Sequence, residues 1–347
     1  MDGLNTEHKE RESNYELLRL VAMSFIVLYH ILFFFISPID NSPLYKALYL
    51  PLHTGVICFV LISGFYHIKP SVKGLIKLIS PLIVFYVPLT IFELAIGRGG
   101  VKELLFFSQS PYWFIRTYFY LYLLAPLLNS FLKNSYRRIY LLVVLGFISV
   151  YMGTMQDTSL LDGKNLALFM FLYVVGDSIN FYSGILAKIK TTYVILSYII
   201  LNILIVLAYY HLDGTSLENL IWLSAYPYCS PVLIINAVLL FIIFGRMHIR
   251  SKVINSLASS VFTIYVLHHQ HFILYTLIGA IALKIYHFFT TPASIICGLF
   301  LFTVIILMAC IIVDKLFNPL WRFLHKIGEK GDQKLDVLLK TINGVKY

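Results

Sequence analysis

Runs of roughly 18 to 25 mostly apolar residues recur along nearly the whole chain, and a run of that length has few ways to fold. As a helix rising about 1.5 Å per residue it crosses a hydrocarbon core of about 30 Å with every backbone hydrogen bond made internally. A membrane barrel would alternate apolar and polar residues with period two, and these runs do not. Composition agrees: 59% of the 347 residues are hydrophobic and 13% charged, against about 25% charged in an ordinary soluble domain. The mean hydropathy is +0.81. The predicted fold class is an all-α integral membrane protein, a single bundle of about ten transmembrane helices.

The ten predicted spans are about 15–37, 47–67, 75–97, 112–132, 138–155, 166–187, 192–211, 228–245, 256–283 and 293–317. A cytoplasmic N-tail (1–14) precedes a membrane domain (15–317), and a basic cytoplasmic C-tail (318–347) follows, amphipathic and suited to lie on the inner face. The first apolar run is too long and too charged for a signal-peptide core, so it is expected to stay. With the N-terminus inside, twenty lysines and arginines fall in cytoplasmic segments and five outside, which predicts that both termini are cytoplasmic. The net charge of +10 then reflects topology and attraction to anionic lipid; no nucleic-acid module is present in the sequence. The four cysteines, Cys58, Cys229, Cys297 and Cys310, show no metal or disulfide spacing and read as small core residues.

Charged and titratable groups within the spans are costly and mark functional candidates. In "YELLRLVAMSFIVLYH", Arg19 and His30 are eleven residues apart, hence on one helix face about 16 Å from each other. Arg19 could instead reach the headgroups by snorkelling, and Glu16 is placed to pair with it. His30 could serve proton transfer or simply bond a neighbouring helix. The ninth span carries "IYVLHHQHF" at a similar depth, with His268 and His271 sharing a face and His269 pointing elsewhere. Metal binding is the competing reading of these histidines, but no acidic residue accompanies them in that span, and no metal is expected. The fourth span opens "SPYWFIRTYFYLYLLAPLLN". Tyr112 and Trp113 suit an interfacial aromatic belt, and Arg116 could orient a polar acceptor. Ser63 and Gly64 in "LISGFYHIKP" permit close backbone approach, and Lys69, Lys73 and Lys77 follow as a basic cluster before the third span. Those lysines suit a phosphorylated cofactor or a plain positive-inside loop.

Taken in order, "ELLRLVAMSFIVLYH", "FVLISGF", "KLISPLIVF", "YWFIRTYFYLYLLAPLLN", "YCSPVLIINAVLLFIIFGRM" and "INSLASSVFTIYVLHHQHF" resemble acyltransferase family 3, polytopic bacterial membrane proteins. The resemblance covers about residues 12 to 320. It implies an O-acyltransferase of the bacterial cytoplasmic membrane that takes an acyl group, usually acetyl, from cytosolic acyl-CoA and delivers it to a cell-surface carbohydrate. The family's first-span pair falls on Arg19 and His30, and its basic motif falls near Lys73 and Lys77, where lysine forgoes bidentate phosphate recognition. Arg19, Lys73 and Lys77 are thus the expected acetyl-CoA contacts, His30 and His268 the catalytic candidates, and Arg116, Tyr112 and Trp113 the acceptor side. Some members carry an extra extracytoplasmic hydrolase-like domain; its lack here favours a lipid-linked or growing polysaccharide as acceptor. A flippase for a lipid-linked glycan, a membrane scaffold, and transfer of another acyl group such as succinyl are the alternatives.

Overall fold

The computed structural model describes residues 13–40, 42–98, 100–101, 112–152, 163–212, 214–217 and 227–342. The apolar runs become α1 (Asn14–Ile36), α2 (Pro43–Tyr66) and α3 (Val72–Ala95), then α4 (Trp113–Leu132) and α5 (Ser135–Gly146), which continues as a π-helical turn over Phe147–Met152. Next come α6 (Leu166–Phe181), α7 (Thr191–Leu212), α8 (Pro231–Gly245), α9 (Lys252–His268), α10 (Phe272–Phe288) and α11 (Pro292–Leu316). α12 (Asn318–Ile342) completes the described residues, which include no strand. Each of the ten predicted segments falls on a helix, α9 and α10 together taking the ninth. Among the described residues, five helices are long and apolar enough to cross a membrane, six if the bent α9–α10 pair is one span. Lys9, Arg11, Lys102 and Lys346, counted in the orientation, lie outside the described residues.

The starts of these helices are written locally. Ser71, Asn134, Ser230 and Thr291 each accept a backbone N–H in the first turn that follows, and Pro231 and Pro292 take the position where a missing N–H costs nothing. Close packing is written in glycine. A Cβ on Gly64 of α2 would strike the Tyr173 carbonyl of α6, and one on Gly176 would strike the Leu61 carbonyl, so the two backbones touch as the sequence predicts for Gly64.

Arg138, counted from sequence as a loop cation, is instead buried. Its Nε donates to Asp177 Oδ2 at 2.6 Å and its Nη2 to the Leu132 carbonyl at 2.7 Å, while His67 meets Asp177 Oδ1 at 2.7 Å. A carboxylate unseen in the loop pattern draws the arginine inward, and the three residues tie the ends of α2, α5 and α6 together. Of the four cysteines, three are buried; Cys297 is exposed and so departs from the core reading.

Two departures from straight helices shape the site. First, α9 and α10 meet at 85° across a break that contains His269, Gln270 and His271. Glu93 of α3, buried, accepts from Gln270 Nε2 at 2.8 Å and from His271 Nδ1 at 3.1 Å, while Gln270 Oε1 accepts the Ile273 N–H at 3.1 Å. These bonds occupy polar groups that a broken helix would otherwise leave bare in an apolar setting. Second, α12 packs along the start of α3. Its Asp332 accepts the backbone N–H groups of Val72 (2.5 Å) and Lys73 (3.3 Å), and its Glu329 pairs with Lys73 at 2.6 Å. Phe323, Ile327, Val337, Leu338 and Leu339 of α12 stay exposed.

Candidate functional site

α1 carries the site's backbone logic. Its buried residues include Ala22, Met23, Ile26, Val27 and His30, a helical repeat that turns the imidazole inward. There His30 Nδ1 lies 3.0 Å from Nε2 of His268, whose own Nδ1 lies 2.7 Å from the Ile264 carbonyl. A carbonyl only accepts, so His268 Nδ1 carries a hydrogen. With neutral rings, His268 Nε2 is then the acceptor, His30 Nδ1 the donor, and His30 Nε2 the nitrogen left with a lone pair.

The 85° break corrects the reading of the histidine cluster. A continuous helix would put His268 and His271 on one face; here the chain turns after His268. His269 comes to His30, ring centroids 4.5 Å apart and edge to face, while His271 is carried out to Glu93 with its side chain largely exposed. Sequence periodicity could not show this, because Glu93, far away in the chain, holds the break.

His30 and His269 face a small chamber of about 20 Å³, also lined by Tyr29, Leu52, His53, Trp113 and Tyr228. That is room for about one water molecule. Ile26, Val56, Phe114 and Tyr265 form its wall on one side, and the same four residues line a far larger cavity of about 550 Å³. Arg19 lines the large cavity, its Nη1 donating to both carboxylate oxygens of Glu16 at 3.1 and 3.2 Å. The i, i+3 pairing expected from the sequence is present. Lys77 of α3 and Trp321 and His325 of α12 line the same cavity. Asp314 of α11 is in its wall, accepting from Ser260 Oγ (2.6 Å) and Thr263 Oγ1 (2.5 Å). A small chamber thus shares a wall with a cavity of about 550 Å³ whose lining mixes basic residues, Arg19, Lys77 and His325, with the acidic Glu16 and Asp314.

The structure sorts the predicted residues. It brings His30 and His268 into contact, places Arg19 and Lys77 on one cavity, and puts Trp113 in the chamber wall. Lys73 lines neither cavity and is held by Glu329. Tyr112 is buried, its hydroxyl donating to the Val266 carbonyl at 3.2 Å, so it braces α4 on α9. Arg116 is half-buried and lines neither cavity. His53, His269, Glu93, Asp314 and His325 are additions that the sequence pattern did not single out. His53 and Glu93 could have been found as titratable residues inside apolar runs; His325 sits in a tail whose fold no local pattern ties to α3.

The sequence model for an acyltransferase domain matches residues 12–312 of this chain. No curated protein and no solved structure matches it.

Proposed function

The chain belongs to the acyltransferase family whose domain covers residues 12–312, and from that premise we propose that it is a membrane O-acyltransferase. In this reading it takes acetyl from cytosolic acetyl-CoA and places it on a hydroxyl of a cell-surface or lipid-linked polysaccharide. One observation carries it: His30, bonded to His268 behind it, fronts a one-water chamber that shares a wall with a cavity large enough for a cofactor arm. Arg19 and Lys77 suit the donor's phosphates, and the eleven-residue rise from Arg19 to His30, about 16 Å, suits the reach of pantetheine.

The chemistry follows from the tautomer. His30 Nε2 accepts the proton of the attacking sugar hydroxyl as its oxygen forms a bond to the thioester carbonyl carbon. The carbon–sulfur bond then breaks, the acyl group stays on the sugar oxygen, and the proton passes from His30 to the departing thiolate. His268 steadies the imidazolium that forms in between, its Nε2 accepting the Nδ1 hydrogen. The packed aromatic wall of Trp113, Phe114, Tyr228 and Tyr265 excludes water from the thioester, and the chamber's small volume favours a short acyl group such as acetyl.

The deciding experiment uses purified protein, acetyl-CoA and a glycan acceptor, with thiol release and acetylated product measured together. Wild type should give both in equal amounts. His30→Ala at equal abundance should lose roughly 10² to 10⁴ in rate. An unchanged rate would remove His30 from the mechanism, and no thioester consumption by wild type would leave a transporter as the better reading.

A further inference from the structure

α12 lies outside the stretch matched to the acyltransferase domain, yet it builds part of the large cavity. Resting on the acyltransferase reading, we propose that α12 belongs to the donor-binding site and supplies His325 as an anion contact opposite Lys77 and Arg19.

Three observations place it there. The helix is fixed on α3 at close range: a Cβ on Gly328 would lie 2.6 Å from Lys73 Cα, and one on Gly331 would lie 2.7 Å from Val72. Asp332 and Glu329 clamp the same two residues. His325 is one turn before Gly328, so the clamp sets where its ring stands. His325 lines the cavity together with Arg19 of α1 and Lys77 of α3, so three separate elements bring a basic residue to one space, whose lining also holds Glu16, paired with Arg19, and Asp314, bonded by Ser260 and Thr263. Finally, Lys73 spends its charge on Glu329, whose carboxyl is held below the usual range by that lysine's hydrogen bond and charge. The lysine expected from sequence to bind the donor instead anchors the helix that brings a different residue in.

The electrostatics fit an anionic ligand. Burial, and then the charges of Lys77 and Lys73, push the His325 imidazole below its ordinary value against a smaller opposing pull from Glu329, so positive charge there is resisted. A phosphate among Lys77, Arg19 and His325 would relieve that repulsion and accept a hydrogen bond from each. The ligand class is a phosphorylated acyl carrier with its phosphates at the α12 end of the cavity.

The test is equilibrium binding to the purified full chain, with CoA and phosphate-free pantetheine as probes. Wild type should bind CoA. His325→Gln should weaken CoA roughly tenfold, the loss of one charge-assisted hydrogen bond, and His325→Lys should restore most of it. Pantetheine affinity should be the same in all three proteins. CoA binding unchanged in H325Q overturns the contact, and so does an equal loss for CoA and pantetheine, which would mean a collapsed cavity. An H325K protein no better than H325Q overturns it too. A wild-type protein that binds no CoA refutes the acyltransferase reading itself, an outcome distinct from the other three.

Discussion

At His30 the placement of one hydrogen decides which nitrogen can react. The chain Ile264 carbonyl, His268, His30 orders both rings; in the proposed mechanism His268 is the positioning residue and His30 the one that touches the reacting hydroxyl. His268→Ala removes the acceptor and should cut kcat by about 10² or more with little change in KM for acetyl-CoA. His268→Gln offers an amide oxygen to the same Nδ1 hydrogen and should recover part of that loss. Steady-state kinetics of the two variants checks this; equal rates for both would deny the orienting bond. A second residue-scale expectation concerns pH. Lys77 and Lys73 of α3 and Glu329 of its own helix act on His325, Lys326 acts on Glu329, and Arg19 and Glu16 of α1 and Asp314 of α11 line the same cavity. His325 can hold a phosphate as a cation only below its pKa, which the empty cavity lowers and a bound anion raises. The ratio of CoA dissociation constants, H325Q over wild type, should therefore grow as the pH is lowered through the ordinary imidazole range and shrink towards 1 as the pH is raised above it. Using the ratio cancels the titration of CoA itself and of the other groups.

Among the elements, the break between α9 and α10 deserves the first test, because it sends His269 to the chamber and His271 away. Glu93→Ala strands the buried Gln270 Nε2 and releases the largely exposed His271. The expected cost is about 1–3 kcal/mol for the buried amide left unsatisfied, visible as a lower unfolding midpoint, with kcat falling because His268 and His269 lose their setting. Gly64→Ala is a second element-scale test. Its new methyl meets the Tyr173 backbone, and α2 must move off α6 at about 1–3 kcal/mol. Thermal unfolding of the purified variant reads that directly. How much of this was legible beforehand differs by element. Helix positions, the Glu16–Arg19 pair, the close approach at Gly64, and the candidates Arg19, His30 and His268 follow from local spacing, which the folded chain keeps. The fates of His269, His271, Lys73 and Arg138 do not, because each is set by a partner remote in sequence: Glu93 at the break, Glu329 on α12, Asp177 on α6. Periodicity describes a helix until something outside it bends it.

For the whole molecule, α12 changes from a tail into a wall. Removing residues 318–347 takes Asn318, Trp321 and His325 from the cavity and the Asp332 carboxylate from the N-terminus of α3. The rest of the bundle has its own buried core from α1 to α11, so the truncated chain should still insert and purify. Its CoA affinity should fall below that of H325Q, and its unfolding midpoint should drop as well; binding and melting curves on one preparation give both. Truncation with unchanged CoA affinity would return α12 to a role at the lipid surface alone.

The pairing of His30 with His268 joins positions 238 residues apart. At about 5 to 20 residues per second, a ribosome needs roughly 10 to 50 s to make the second histidine after the first has emerged. Through that interval His30 has no His268 to fix its tautomer, so under the proposed mechanism a nascent fragment lacks the ordered base that attack on a thioester needs.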